Sequence, residues 1–224
     1  MSDFLNNWNI ISFYLINLNP KNFNGVLFQM YKLIVGLGNP GVNFHFTPHN
    51  VGFMLIDYLL KEFQQSISTE IKNDKFNLIY QCCIDNQNFL LIKPKTYMNL
   101  SGLAVKNIID KYQIELSNVL IVHDEINLNI GQFKIKQNGN YGGHNGIKNL
   151  IDVLKTRDFM KLKIGVGYDS NLVLSQYVLQ KMHPEHINLI TSNFCFFKRL
   201  IEVFINTNSV ESLFKIISDF KKNN

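Results

Sequence analysis

Four short apolar runs, Lys32 to Leu37, Asn88 to Ile92, Val119 to His123 and Lys161 to Val166, each stop at a glycine or a charged residue. Runs of this length, too short for a helix, read as buried strands. Between them the apolar residues recur at helical spacing in Val51 to Phe63, Gly102 to Tyr112 and Ile147 to Leu154. Ser101 opens the second of these, with a hydroxyl available to cap it. Two further strands are expected. Asn77 to Ile84 joins the Asn88 run through the polar turn Asp85-Asn86-Gln87, and Gly131 to Lys136 alternates as an exposed-face strand. After Val166 the chain reads as helical, with a break at Pro184. Strands alternating with helices predict an α/β fold. Its form is a single-domain three-layer sandwich, a twisted, mostly parallel mixed sheet flanked by helices. Neither an internal repeat nor a long linker divides the 224 residues.

The first residues stand apart. The apolar stretch Ile10 to Leu18 is too short to span a bilayer and has neither a charged leader nor a small-residue cleavage site. Arginine is absent there, which argues against an organellar transit peptide. Met30-Tyr31-Lys32 directly precedes the first strand. Residues 1–29 are therefore read as a dispensable extension and 30–224 as the working domain. The formal net charge of +5 leans toward a polyanionic partner. Arg157 and Arg199 are the only arginines in a chain rich in Asn, Ile, Lys and Phe, so lysine-for-arginine differences carry little functional weight. Cys82, Cys83 and Cys195 form no disulfide framework and no Cys-x-x-Cys metal spacing, which fits a reducing, cytoplasmic setting.

Gly36-Leu37-Gly38-Asn39-Pro40-Gly41 has the glycine spacing of a dinucleotide fingerprint, with Asp57 at a plausible distance beyond it. That fingerprint needs a helix immediately after the glycines to meet the pyrophosphate. Val42 to Pro48 has no helical pattern, and the proline disfavours helix at Thr47. The turn instead presents Asn39 beyond a strand. His49 and Asn50 follow just before the first helix. His45 and His49 share the spacing of a metal pair, but no helix is expected there and no acidic ligand lies nearby, so no metal is expected. Asn99 lies at a strand-to-helix junction within Lys93 to Gly102. His123-Asp124-Glu125 ends an apolar strand. Asn140 to Gly146 opens a helix, with backbone amides free to face an oxyanion. Taken singly, these residues could be caps, turns or solvated strand ends. Together each reads as the carboxyl end of a strand, gathering an imidazole, a carboxylate and three asparagines on one rim without a positioned Ser or Cys. That set suits hydrolysis by activated water.

GLGNPG, TPHNVGF, KPKTYMNLSG, HDEINL and GGHNGIK, in this order and with these gaps, resemble the bacterial-type peptidyl-tRNA hydrolases from about Tyr31 to Met182. The resemblance implies cleavage of the ester between peptide and tRNA, with His49 as general base and Asp124 fixing its tautomer. It implies that Asn39 and Asn99 hold the peptide and ester, that Asn145 binds the water or oxyanion, and that Met98 lines the peptide channel. Lys136 and Lys163 would clamp the tRNA 5′ phosphate, with Lys134 on the same strand face. No cofactor, metal or membrane is implied, and a monomer is expected.

This chain departs from the family pattern at four positions. Phe44 stands where relatives often carry Tyr, removing a hydroxyl beside the substrate. Lys163 stands where Arg is expected, losing the bidentate fork. Asn140 and Tyr141 replace Gly-His. A non-catalytic RNA-binding protein on the same fold is the rival reading. Loss of the imidazole or carboxylate would favour it, and both are present.

Overall fold

The structure, a computed structural model, describes residues 31–64, 67–207 and 209–222. The extension 1–29 lies outside the described residues.

Seven strands form one sheet: β1 (Lys32–Gly36), β2 (Ile67–Asn73), β3 (Asn77–Ile84), β4 (Gln87–Pro94), β5 (Val119–Glu125), β6 (Phe133–Lys136) and β7 (Met160–Gly165). Their order across the sheet is β2-β3-β4-β1-β5-β7-β6. The central pairs β4–β1, β1–β5 and β5–β7 are parallel, and the flanking pairs β2–β3, β3–β4 and β6–β7 are antiparallel. The sheet is thus mixed, with its parallel part at the centre. The helices are α1 (Val51–Glu62), α2 (Ser101–Tyr112), α3 (Asn145–Leu154), α4 (Leu174–Tyr177), α5 (Pro184–Thr191), α6 (Phe194–Asn206) and α7 (Val210–Lys222). None of them is long and apolar enough to cross a membrane.

The period of two along the central strands divides the apolar side chains between two cores. Ile34, Phe89, Leu91, Leu120 and Val122 face α1, α6 and α7, packing with Leu55, Leu59, Phe197, Ile201 and Leu213. Leu33, Val35, Leu90, Ile92, Val119 and Ile121 face α2 and α3, packing with Val105, Ile108, Ile147 and Leu150. Strands buried on both faces must be continuously apolar, which is why these runs were legible. Each such side chain contributes roughly 1.5–3 kcal/mol on burial.

Several expectations change. Strand β2 was not foreseen. Its sequence ISTEIKN is polar because it is an edge strand, paired on one side only, with a register shift between Ile67 and Ile71. The β3–β4 turn has two residues, not three. Ile84 pairs with Gln87, and Asp85 and Asn86 take φ of 49° and 61°, left-handed values that Asp and Asn tolerate. Ser101 does not cap α2. Met98 to Leu100 form a 3₁₀ turn that runs straight into the helix, so the Ser101 hydroxyl lies inside it and donates to the Met98 carbonyl at 2.9 Å. Gly131 and Gln132 precede β6. Residues 166–173 are not helical, and Pro184 begins α5 instead of breaking a helix. The glycine-rich loop also reaches the rim by another route. Because β6 runs antiparallel to β7, its carboxyl end lies at the opposite rim, and residues 137–144 climb back. Lys161, fully buried, anchors the start of that climb, its ammonium donating to the carbonyls of Gln137, Arg157 and Phe159 at 2.9–3.0 Å. Burial and the nearby Lys163 ammonium push its pKa down to about 8.

Helix α1 lies against the sheet with no side chain between them at Gly52. A Cβ there would stand 2.5 Å from the Leu37 N and O atoms and 2.6 Å from the Val122 carbonyl oxygen. All three are backbone atoms, of β5 and of the residue directly after β1, and cannot yield cheaply. Gly52→Ala is therefore expected to lower stability by about 3 kcal/mol, the upper range for overpacking, as read from the urea midpoint. An unchanged midpoint would show that α1 can lift away without cost.

Candidate active site

After β1 the chain passes the glycine turn into a three-residue 3₁₀ turn, Val42 to Phe44. No helix follows the glycines, so the pyrophosphate cradle of a dinucleotide site is absent. A second 3₁₀ turn, Pro48 to Asn50, delivers His49 immediately before α1. Three bonds fix it. The His49 amide donates to the Val178 carbonyl at 3.1 Å, the Asn39 amide donates to Asn50 Oδ1 at 2.9 Å, and Asn50 Nδ2 donates to the Asn39 carbonyl at 3.0 Å.

His49 Nδ1 lies 3.0 Å from both oxygens of Asp124, at the end of β5. An ionised carboxylate only accepts, so Nδ1 carries the proton and Nε2 keeps its lone pair. Asp124 also takes a second imidazole, with His144 Nε2 at 2.9 Å from Oδ1. The tautomer of His144 is fixed as well, because its Nδ1 accepts the Ile147 amide at 3.2 Å and so must be unprotonated. The side chain thereby caps α3. Behind it His123 is buried, with Nδ1 donating to the Asp124 carbonyl at 2.7 Å and Nε2 unpartnered. Burial, then the adjacent His144, hold its pKa well below the ordinary imidazole value.

Burial would depress the His49 pKa, but the charge of Asp124 and its hydrogen bond outweigh this and raise it. For Asp124, burial pushes upward, yet the two imidazoles more than reverse it and hold the carboxyl far below the usual range. His49, Asp124 and His144 offer ligand atoms within 4.8 Å of one another, a grouping able to hold a cation. Two protons in hydrogen bonds account for the arrangement as it stands.

These groups line a cleft of about 340 Å³ whose walls include Glu125, Tyr141, Asn145, Val173 and Val178. Of the expected substrate residues only Asn145 lines it, exposed at the first turn of α3. Asn39, Phe44, Met98 and Asn99 form a second group beside it. Asn39 Oδ1 accepts the Met98 amide at 2.8 Å, which leaves the Asn39 Nδ2 as donor. Met98 is buried at 5% exposure, below the rim. Phe44 meets the exposed Tyr97 edge-to-face at 6.3 Å, and Asn99 is exposed. The Met98 sulfur and Gly146 meet where the two groups touch.

Lys134 and Lys136 project from the outer strand β6, opposite Lys163 and Lys161 of β7. Both β6 lysines are exposed. Lys163 is mostly covered and forms an ion pair with Glu125 at 2.6 Å. It is therefore Lys134, not Lys136, that faces Lys163 directly.

The family model described as Peptidyl-tRNA hydrolase matches residues 33–224. The chain belongs to the peptidyl-tRNA hydrolase family. It is similar to the peptidyl-tRNA hydrolase of Onion yellows phytoplasma (strain OY-M), 47% identical over 78% of this chain and 91% of that one. It is 43% identical to that of Phytoplasma mali (strain AT), over 78% of this chain and 98% of that one. The solved peptidyl-tRNA hydrolase of Acinetobacter baumannii superposes with a TM-score of 0.76 at 30% identity, covering 86% of this chain and 97% of that one.

In the sequence His144 is only one member of a glycine-rich motif, and nothing there points to the wall that Val173, Leu174, Ser175 and Val178 form. His144 carried a signal, a histidine at a helix start one residue before Asn145, but its partner Asp124 is remote in sequence. The wall carried none.

The Asp124 carboxylate is what lifts His49 above its ordinary value of 6.5. In an NMR titration His49 is expected to protonate with a midpoint above 6.5, and Asp124→Asn should bring that midpoint below 6.5, because burial then acts alone. A midpoint that Asp124→Asn leaves in place would remove the carboxylate as its cause.

Proposed function

We propose that this chain hydrolyses the ester joining a peptide to the terminal ribose of tRNA, with neutral His49 as general base on a water molecule. The observation that carries this is the His49 ring, held through Nδ1 by Asp124 with Nε2 left to the cleft. Water attacks the ester carbon while Nε2 takes its proton. A tetrahedral oxyanion forms and collapses with cleavage of the bond to the ribose oxygen. The imidazolium returns the proton to that oxygen, releasing a tRNA hydroxyl and a peptide carboxyl group, which loses its own proton to solvent as the carboxylate. Asp124 stays ionised throughout and stabilises the imidazolium.

Asn145 stands at the first turn of α3, where unpaired backbone amides and the positive end of the helix dipole favour a developing oxyanion. Asn39, with its oxygen occupied by Met98, acts as a donor to a peptide carbonyl. Asn99, exposed next to Met98 in sequence, keeps both halves of its amide for the peptide backbone. A free aminoacyl group would bring an ammonium to these donors and leave them unpaired, at about 1–3 kcal/mol each, which favours peptidyl substrates. Lys134, Lys136 and Lys163 face the RNA phosphates, and Glu125 must share Lys163 with the phosphate. Residues 1–29 are dispensable for this activity. A non-catalytic RNA binder on this fold would have no use for a buried imidazole–carboxylate pair opening into a cleft.

The deciding experiment is ester cleavage of a blocked against an unblocked aminoacyl-tRNA. The blocked substrate should be cleaved and the unblocked one spared, and His49→Ala should lower turnover about 10²–10⁴-fold while tRNA binding is kept. Near-wild-type turnover in His49→Ala would sink the mechanism. Removing the Lys136 ammonium should reduce the salt slope of log affinity for tRNA by about one. An unchanged slope would take Lys136 out of the RNA footprint.

A further inference from the structure

We propose that His144 is a positioning residue of the hydrolytic site: its Nε2–H shares the Asp124 carboxylate with His49 and so limits how strongly Asp124 charges the His49 ring. The inference rests on the general-base reading of His49 and adds to it a second imidazole acting through Asp124.

Three observations lead to it. First, both imidazoles meet the same oxygen, His49 Nδ1 at 3.0 Å and His144 Nε2 at 2.9 Å from Asp124 Oδ1. An acceptor already engaged by one N–H offers less to another. Second, His144 cannot swing away or act as the base itself. Its Nδ1 is taken by the Ile147 amide, and its ring packs between His49 and His123 with centroids 4.9 and 4.8 Å apart. Third, His144 adjoins Asn145, so the same bond that tempers Asp124 fixes the start of α3 against β5.

The chemistry explains the use of such a donor. A buried carboxylate facing a single imidazole would hold that ring protonated, and a protonated ring accepts nothing from water. A second donor stabilises the carboxylate independently of His49 and leaves the ring neutral over a wider range. The other ionisable groups facing the cluster are His123 and Glu125 on β5, Lys163 on β7, Tyr141 on the loop before α3 and Tyr177 on α4. The variants below leave all of them in place.

His144 makes two hydrogen bonds through two different nitrogens, and two substitutions separate them. Asn reaches the Nδ1 position and can keep the α3 cap, but it cannot donate to Asp124. Gln reaches the Nε2 position and can keep the donation, but it loses the cap. The test is the pH dependence of kcat/KM for wild type, His144→Asn and His144→Gln, with thermal unfolding recorded alongside. With the donor lost, His49 becomes the stronger base, and its protonation inactivates the site at higher pH. The acid limb of His144→Asn is therefore expected to move up by about half a pH unit or more, while His144→Gln keeps the wild-type limb and unfolds at lower temperature. Coincident limbs in all three proteins, or equal displacement in both variants, would overturn the proposal and leave His144 as a helix cap. If the asparagine variant fails to fold, His144→Ala takes its place: an acid limb moved up in His144→Ala while His144→Gln keeps the wild-type limb supports the donor role, and coincident limbs overturn it. An active His49→Ala would sink the general-base reading itself, whereas an inactive His49→Ala with a wild-type limb in His144→Asn sinks only the role of His144.

Discussion

A single negative charge, the Asp124 carboxylate at 2% exposure, dictates the arrangement around it. Moving a carboxylate out of water costs many kcal/mol unless donors replace the lost hydration, and otherwise the group would take up a proton. Here the replacement is two imidazole N–H groups from different parts of the chain. Their presence fixes which nitrogen of each ring carries hydrogen. It also leaves one lone pair, on His49 Nε2, with no partner among the described residues. The reactive atom is thus defined by what the charge requires of its neighbours.

Meeting that requirement sets demands on the fold. The end of β5, the turn before α1 and the residue that caps α3 must converge, although His49 and Asp124 are 75 residues apart and Asp124 and His144 are 20 apart. The parallel centre of the sheet brings the first two together, since β1 and β5 are neighbours and end on the same rim. Gly52 lets α1 lie directly on those strands, which draws His49 to Asp124. The third arrives differently, by a loop that climbs from the far rim and is anchored at its base by the buried Lys161 ammonium. A lysine without a carboxylate partner in that place is held by main-chain carbonyls, and its lowered pKa records how little water it sees.

These two routes explain what was legible in the sequence. Strands β1, β4, β5 and β7 are covered on both faces and must be apolar throughout, so their composition revealed them. The polar edge strand β2 obeys no such rule and gave no pattern. His49, Asp124 and Asn145 could be picked out because each stands beside a strand end or helix start with its chemistry in view. His144 was hidden by its neighbours in the glycine-rich motif, because only the three-dimensional meeting with Asp124 distinguishes it from a simple cap. The expected phosphate clamp of Lys136 and Lys163 said nothing of which lysine lies directly across from Lys163. Register is set by the β6–β7 pairing, and it places Lys134 opposite Lys163.

The two halves of the proposed substrate are met by different physics. The ester faces a compact, desolvated group in which every proton position follows from hydrogen bonding, so small displacements matter. The RNA faces lysines on an outer strand, where charges act at longer range and are screened by salt. Lys163 belongs to both regions, because its partner Glu125 directly follows Asp124 and lines the same cleft. A phosphate arriving at Lys163, as the proposed function requires, would weaken the Lys163–Glu125 pair. That would partly free a carboxylate on the wall of the cleft that His49 lines. Glu125 is held below the ordinary carboxylate range chiefly because Lys163 overcomes its burial, so weakening the pair raises its proton affinity. On the proposed function, binding of the RNA end would thus be coupled electrostatically to the chemical end through two adjacent residues of one strand, with no movement of the sheet required.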